Sequence, residues 1–80
     1  MDRLIKPLNQ ISIGQIGRVK KIFSTGNLRR RMLDLGIVEG TKIEALHNSP
    51  AGDPVAYSIR GAVIALRSED AKKIIVDTNV

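Results

Sequence analysis

Turn-forming residues divide this chain into short segments, and the short spacing between them limits the folds that the chain can adopt. Glycine, proline and small polar residues recur at 14–17, 24–26, 36–40 and 49–54. The segments between them are long enough for short strands or short helices, and too short for a helix bundle or for parallel strands with crossover helices. The short spacing between turns therefore favours an antiparallel, mainly β domain.

Five of these segments are typical of strands, namely 18–23, 41–47, 55–60, 62–67 and 74–76. In 55–60 the alternation places Val55, Tyr57 and Ile59 on one inward face, and Gly61 permits a tight hairpin into the next strand. In 18–23 the alternation fails at Lys20–Lys21, which predicts a bulge or an edge position. We therefore predict a mainly β fold, a small five-stranded SH3-like barrel with one or two short helices.

One segment has helical rather than strand periodicity. Leu28, Met32 and Leu35 fall on one stripe at helical spacing, which predicts a short helix packed on the core. Asn27 is the expected N-cap of this helix. Gly36 is the expected stop, because a left-handed residue ends a helix at little steric cost when it is glycine.

The predicted helix carries three consecutive arginines, Arg29, Arg30 and Arg31, followed by Asp34. Cations in a first turn oppose the helix dipole, so this run does not serve the stability of the helix. Three interpretations stay open: a solvated basic face, a site where planar guanidinium groups meet a carboxylate, phosphate or partner surface, and pairing with a carboxylate of the same chain.

Composition limits both the size of the core and the kind of partner. The chain has 80 residues, of which 42% are hydrophobic, and its only aromatic residues are Phe23 and Tyr57. We expect one domain over residues 1–80, with an aliphatic core that both aromatic side chains join. The net charge of +5 favours anionic partners, such as an acidic protein, a nucleic acid or an anionic membrane surface.

No catalytic or cofactor motif is present in the sequence. The chain has one histidine, His47, and no cysteine, so we expect no enzyme activity, no bound cofactor and no metal site. A direct iron carrier using His47 is the least favoured alternative. Without a leader sequence or an apolar run of about 20 residues, we expect a cytoplasmic protein that does not insert into the membrane.

Nucleic acid is a rival partner for a basic barrel. Barrels that bind oligonucleotides usually stack bases on aromatic side chains, and two aromatics that also belong to the core leave little for stacking. We therefore expect no specific nucleic-acid binding. A small basic nucleic-acid-binding or regulatory barrel remains the alternative function.

Several ordered motifs together resemble the FeoA family. They are GQIGRV at 14–19, LRRRMLDLGI at 28–37, GT at 40–41, SPAGDP at 49–54, YSIRG at 57–61 and IALR at 64–67. The resemblance implies a small cytoplasmic SH3-like barrel that is accessory to FeoB, a membrane importer of ferrous iron with a cytoplasmic GTPase domain. It also implies a fold shared with the C-terminal domain of iron-dependent repressors.

From this resemblance we expect a non-enzymatic accessory protein that docks on the cytoplasmic, GTPase-containing part of FeoB and modulates its assembly or activity. The protein would then lie at the inner membrane through its partner, and a homo-oligomer is left open. An arginine acting as a finger on the GTPase is a less economical alternative. The residues expected to meet the partner are Arg29, Arg30, Arg31, Asp34, Ser49, Asp53, Arg60 and Arg67.

Overall fold

The structure, a computed structural model, describes residues 4–79 and is built on one antiparallel sheet. The strands are β1 (Ile5–Pro7), β2 (Ile16–Ile22), β3 (Lys42–Asn48), β4 (Val55–Ile59), β5 (Ala62–Leu66) and β6 (Ile74–Asp77). Two α-helices, α1 (Gly26–Asp34) and α2 (Ser68–Ala71), and a 3₁₀ turn (Leu8–Gln10) complete the described elements. The strand order is β1-β6-β2-β3-β4-β5.

The mainly β prediction with short helices is confirmed, and the sheet has six strands where five were expected. The additional strand, β1, has only three residues and ends at Pro7. Its pairing with β6 runs from Ile5 opposite Asp77 to Pro7 opposite Ile75. Because β6 lies near the other end of the chain, no local alternation pattern predicts β1.

The irregularity expected at Lys20–Lys21 is a bulge. Val19 pairs with Val76 and Lys21 with Ile75, so one extra residue of β2 is accommodated against β6. β2 as a whole is not an edge strand, since it pairs with β6 on one side and with β3 on the other, but its pairing with β3 ends at Arg18, so Lys20 and Lys21 have a strand partner only on the β6 side. The bulge lets the basic pair interrupt the alternation without displacing the buried residues on either side of it.

The core is aliphatic, as the composition predicts, with Tyr57 as its one aromatic member. Its most deeply buried members come from β2, β3, β4, β6, α1 and the segments beside them, among them Leu8, Val19, Met32, Ile37, Ile43, Ile59, Ile74 and Val76. Phe23 does not join the core, since 58% of its surface is exposed. Its aromatic ring instead has the Lys21 Nζ 5.0 Å from its centroid.

The β4–β5 hairpin turns through two residues, as Gly61 predicted. Ile59 pairs with Ala62, and the residues between them, Arg60 and Gly61, both have left-handed φ angles of 51° and 84°. Two consecutive left-handed residues define the type I′ turn that matches the twist of a hairpin. Arg60 is the one non-glycine residue with positive φ in the described part of the chain.

Thr78, near the end of the described residues, is bonded to Leu4, the first of them. Thr78 donates hydrogen bonds to the carbonyl oxygen of Leu4 from its amide nitrogen at 2.6 Å and from Oγ1 at 2.8 Å. Because Asp77 is a poor strand former, the sequence predicts a frayed terminus at 77–80. This prediction is wrong for Asp77, which lies in β6 and pairs with β1, and for Thr78. Val80 lies outside the described residues.

Candidate docking surface

Helix α1 positions the arginine run by packing its opposite stripe on the core. Met32 is buried, and Leu28 and Leu35 are partly buried against the core cluster, as their spacing predicts. The expected N-cap is wrong: the helix begins earlier, with Thr25 in the N-cap position and no side-chain capping bond. Asn27 is instead inside the first turn.

The C-terminus of α1 is closed by backbone hydrogen bonds around a left-handed glycine. Gly36, at φ +85°, donates its N–H to the Leu33 carbonyl at 2.9 Å. Ile37 donates its N–H to the Met32 carbonyl at the same distance, and both of these side chains are buried. This pair of bonds is a Schellman motif with its hydrophobic contact, so the stop predicted at Gly36 is confirmed in detail.

The three arginines and Asp34 are exposed on α1, away from the buried stripe. Arg31 lies in the last turn, where the helix dipole favours a cation, whereas Arg29 lies in the first turn, where the dipole opposes it. Because consecutive residues of a helix point about 100° apart, the three guanidinium groups are spread around the exposed side of α1.

A groove of about 490 Å³ runs beside α1, and sequence patterns did not indicate it. It is lined by Val19, Lys20, Lys21, Ile22, Arg29, Leu33, Val38 and Glu39, and we call it the β2–α1 groove. Leu33 and Val38 keep 47% and 40% of their surface exposed there, beside three cations and one carboxylate. Its residues come from three separate segments, so only the folded chain brings them together.

Arg60 reaches the C-terminal end of α1 from the β4–β5 turn. Its aliphatic stem lies so close to Gly36 that a Cβ placed on this glycine would be 2.5 Å from the Arg60 Cδ. The side chain thus covers the helix end, where the free carbonyl groups carry partial negative charge. Arg60 therefore lies at the C-terminal end of the helix that carries the arginine run.

The loop between β3 and β4 is held by α2. The Asp53 Oδ1 accepts a hydrogen bond of 2.7 Å from the backbone N–H of Ser68, the first residue of α2. The Ser68 Oγ accepts a hydrogen bond of 2.9 Å from the Asn9 Nδ2. The Ser49 Oγ is buried without a hydrogen-bond partner among the described residues, so a partner touching this loop would not reach that oxygen.

Arg67 lies at the opposite end of the β4–β5 hairpin from Arg60. The five-residue strand β5 separates them, which corresponds to roughly 17 Å at the usual rise of a strand. The eight predicted partner-binding residues therefore form two groups. One group contains Arg29, Arg30, Arg31, Asp34 and Arg60 around α1, and the other contains Ser49, Asp53 and Arg67 near α2.

Asp53 also acts on the one tyrosine of the chain. Burial of the Tyr57 side chain, and then the negative charge of Asp53, raise the pKa of its phenol above the ordinary 10.0. Tyr57 lines a smaller cavity of about 280 Å³ together with Asn9 and Ser68. Asp53 thus acts on α2 through a hydrogen bond and on Tyr57 of β4 through its charge.

Within the described residues, the structure contains neither a group of metal-binding side chains nor a membrane-spanning helix. His47 is exposed on β3, and no three His, Asp or Glu side chains within residues 4–79 come together as a metal-binding group. Among the helices of residues 4–79, none is long and apolar enough to cross a membrane.

The fold and this surface define a class: small, mainly β modules that expose a basic helix beside a groove. Comparison with known proteins identifies the family. The model of the FeoA domain matches residues 6–78, so the chain belongs to the FeoA family, which consists of non-catalytic accessory domains of ferrous iron transport.

Two relatives are informative. The Fe(2+) transport protein A/Fe(2+) transporter FeoB fusion protein of Porphyromonas gingivalis is 34% identical over 70 residues, which cover 88% of this chain and 8% of that relative. A FeoA-like protein from Clostridium acetobutylicum has a solved structure with a TM-score of 0.85 and 36% identity, covering 95% of this chain and 88% of that one. The chain therefore spans a small part of the fusion protein.

More distant structures bear on the fold alone. The zinc complex of Stenotrophomonas maltophilia FeoA, a prokaryotic SH3 domain protein, has a TM-score of 0.77 at 24% identity, covering 88% of this chain and 87% of that one. A manganese-dependent transcriptional repressor has a TM-score of 0.83 at 23% identity, covering 92% of this chain and 36% of that one. The SH3-like fold is thus confirmed, and it recurs within a larger repressor.

Proposed function

We propose that this chain, as a single domain over residues 1–80, docks on the cytoplasmic GTPase-containing part of a FeoB-type transporter and modulates its assembly or activity. The observation that carries the proposal is the fusion of the two proteins in the Porphyromonas gingivalis relative. A covalent link keeps two modules at a high effective concentration, which favours a contact between them. The domain would then act at the inner face of the membrane through its partner.

The surface that we assign to this contact is the group around α1. Exposed arginines suit a partner rich in carboxylates, because a guanidinium can bind a carboxylate with two parallel hydrogen bonds. Arg60 adds a fourth guanidinium at the C-terminal end of the helix. The group near α2 is the less favoured contact, because Asp53 already accepts a bond from Ser68 and the Ser49 hydroxyl oxygen is buried.

Calorimetry at physiological salt tests this proposal. The purified domain is titrated with the purified cytoplasmic GTPase-containing region of the transporter from the same organism. The triple variant Arg29→Glu/Arg30→Glu/Arg31→Glu is compared with Lys42→Glu/Lys72→Glu/Lys73→Glu, which makes the same change in net charge outside α1. Amide spectra establish beforehand that both variants keep the fold.

We expect the wild-type domain and the control variant to bind, and the arginine variant to lose at least tenfold in affinity, about 1.4 kcal/mol. Equal binding by all three proteins would keep the partner and reject α1 as the docking surface. Failure of the wild-type domain to bind would reject the cytoplasmic region as its partner.

A further inference from the structure

Strand β2 leaves part of one edge without a strand partner. Its pairing with β3 ends at Arg18, opposite Lys42, whereas its pairing with β6 continues to Ile22, opposite Ile74. Beyond Arg18, the turn before β3 satisfies the backbone of Val19. The last residues of β2 therefore have β6 on one side and the β2–α1 groove on the other.

The backbone of Ile22 faces this groove. The next residue, Phe23, donates its N–H to the carbonyl oxygen of Lys73 at 2.7 Å, on the β6 side. Successive residues of a strand direct their N–H and C=O groups to opposite sides. The N–H and C=O of Ile22 consequently point toward the groove, where they have no strand partner among residues 4–79 and form a short free edge.

The chemistry of the groove complements a particular kind of chain. Lys20, Lys21 and Arg29 surround it with three positive charges, against the single carboxylate of Glu39. Leu33 and Val38 supply exposed apolar surface between these charges. A free strand edge, an apolar floor and a basic rim are together the requirements for strand addition of an acidic peptide with an apolar anchor.

We propose that the β2–α1 groove binds an extended acidic segment of the partner protein, which pairs with the free edge of β2 at Ile22 and places one apolar side chain on Leu33 and Val38. The inference rests on the proposed function and adds the chemistry of the segment that the surface recognises. A nucleic acid would satisfy the cations and leave the apolar floor uncovered. A membrane surface, being flat, would not enter the groove.

A pair of valine substitutions tests the apolar anchor site. Val38 lines the groove and is 40% exposed, whereas Val63 is 67% exposed on β5 and lies outside the groove. In titrations with the cytoplasmic GTPase-containing region, we expect Val38→Asp to lower affinity about tenfold or more, as the loss of an anchor at the centre of an interface does. Val63→Asp should bind like the wild type.

Hydrogen exchange tests strand addition itself. Binding should slow exchange of the Ile22 amide, because the added strand supplies a carbonyl acceptor for this N–H. Val63 provides the matched control. Ile59 and Ala62 close the two-residue turn as a hydrogen-bonded pair, so the Val63 N–H points outward from the edge strand β5 and its exchange should not change.

The outcomes separate this inference from the proposed function. Slower exchange at Ile22 together with weaker binding of Val38→Asp supports the groove. If the wild type binds and both Val38→Asp affinity and Ile22 exchange are unchanged, the groove is rejected while the partner stands. Weaker binding without protection at Ile22 rejects strand addition, and protection at Val63 instead moves it to β5. A wild type that does not bind rejects both proposals.

Discussion

Gly36 is the residue at which helix α1, the β4–β5 turn and the proposed docking surface meet. Its φ of +85° closes the Schellman motif, and its missing side chain leaves room for the stem of Arg60. Gly40 offers a comparison, because it has a similar φ of +92° and open space where a Cβ would be. The two glycines separate the cost of backbone conformation from the cost of crowding.

We expect Gly36→Ala to lower the free energy of unfolding by more than Gly40→Ala. The backbone term, about 1–2 kcal/mol for an L-residue in a left-handed conformation, is common to both substitutions. Only Gly36→Ala must also displace the Arg60 side chain. Urea unfolding followed by circular dichroism measures the difference.

The Arg60→Asn background identifies the origin of that difference. Asparagine tolerates the left-handed conformation and removes the long stem. The excess cost of Gly36→Ala over Gly40→Ala should disappear in this background. An excess that persists there would show that Arg60 is not its cause.

The ionisation of the Tyr57 phenol can be measured without overlap from another residue, because Tyr57 is the only tyrosine. Burial and the charge of Asp53 raise the pKa of its phenol above 10.0 in the folded chain. Titration by phenolate absorbance should therefore show a pKa above that of the unfolded protein. Asp53→Asn should lower the folded value part of the way, since burial is the larger cause.

The sign of the effect on stability follows from the same shift. Below pH 10.0 both states keep the phenol proton, so the contribution of Tyr57 to stability is fully present. Above this pH the unfolded chain releases its proton first, and the free energy of unfolding falls as the pH rises through the folded pKa. Tyr57→Phe should remove this part of the alkaline loss, and identical alkaline curves for the two proteins would contradict the assignment.

At the scale of elements, the positive charge of Arg29 in the first turn lowers the stability of α1, because the helix dipole opposes a cation there. Arg29→Glu places an anion in the first turn and should raise the free energy of unfolding by about 0.3–1 kcal/mol, whereas Arg31→Glu in the last turn should lower it by a similar amount. Chemical denaturation of both variants at low salt measures the effect. Equal changes in the same direction would mean that the helix dipole does not determine the effects of these charges.

Arg29→Glu should at the same time weaken the proposed docking. The substitution therefore increases stability and decreases binding, a combination that general unfolding cannot produce. Calorimetry of this one variant beside its denaturation curve makes the comparison.

Helix α2 depends on an acceptor fifteen residues earlier in the chain. Asp53→Ala removes the bond from the Ser68 N–H and should cost about 1 kcal/mol of stability, the usual value of a capping interaction. Asp34→Ala is the matched control: it removes an exposed carboxylate at the C-terminal end of α1, where the dipole opposes an anion. Thermal unfolding should show a lower midpoint for the first variant and no loss for the second.

Local patterns were sufficient for most elements. The stripe of Leu28 and Met32, the stop at Gly36 and the hairpin at Gly61 each depend on neighbours within a few residues, and each is confirmed. β1 was missed because its three residues become a strand only by pairing with β6. The place of β2 between β6 and β3 could not be predicted for the same reason, since strand order depends on contacts between distant segments.

The candidate site was predictable only in part, for the same physical reason. The arginine run is visible as a local excess of charge, and its exposure follows from the buried stripe opposite. The approach of Arg60 to Gly36 and the meeting of Leu33 with Val38 beside β2 depend on how the sheet turns. The spacing of residues in the sequence does not predict these two arrangements.

At the scale of the whole molecule, the net positive charge should guide the encounter with the partner that we propose. With a net charge of +5, affinity for the acidic surface that we propose should fall as salt rises, mainly through slower association. Stopped-flow measurements at low and physiological salt check this expectation. An association rate that does not depend on salt would contradict a charge-guided encounter.

The same measurement with random duplex DNA evaluates the nucleic-acid alternative. A basic domain binds phosphates weakly and with steep salt dependence. We therefore expect any DNA binding to be lost at physiological salt while transporter binding remains. The opposite order would favour a nucleic-acid role.

The hydrogen bonds between Thr78 and Leu4 place the two ends of the described chain side by side, at the β1 edge of the sheet. The sheet order separates this edge from β3, β4 and β5. A linker joined at either end would therefore leave from the same corner. A domain arranged in this way can be joined to a larger protein at either end with the same orientation of the docking surface that we propose.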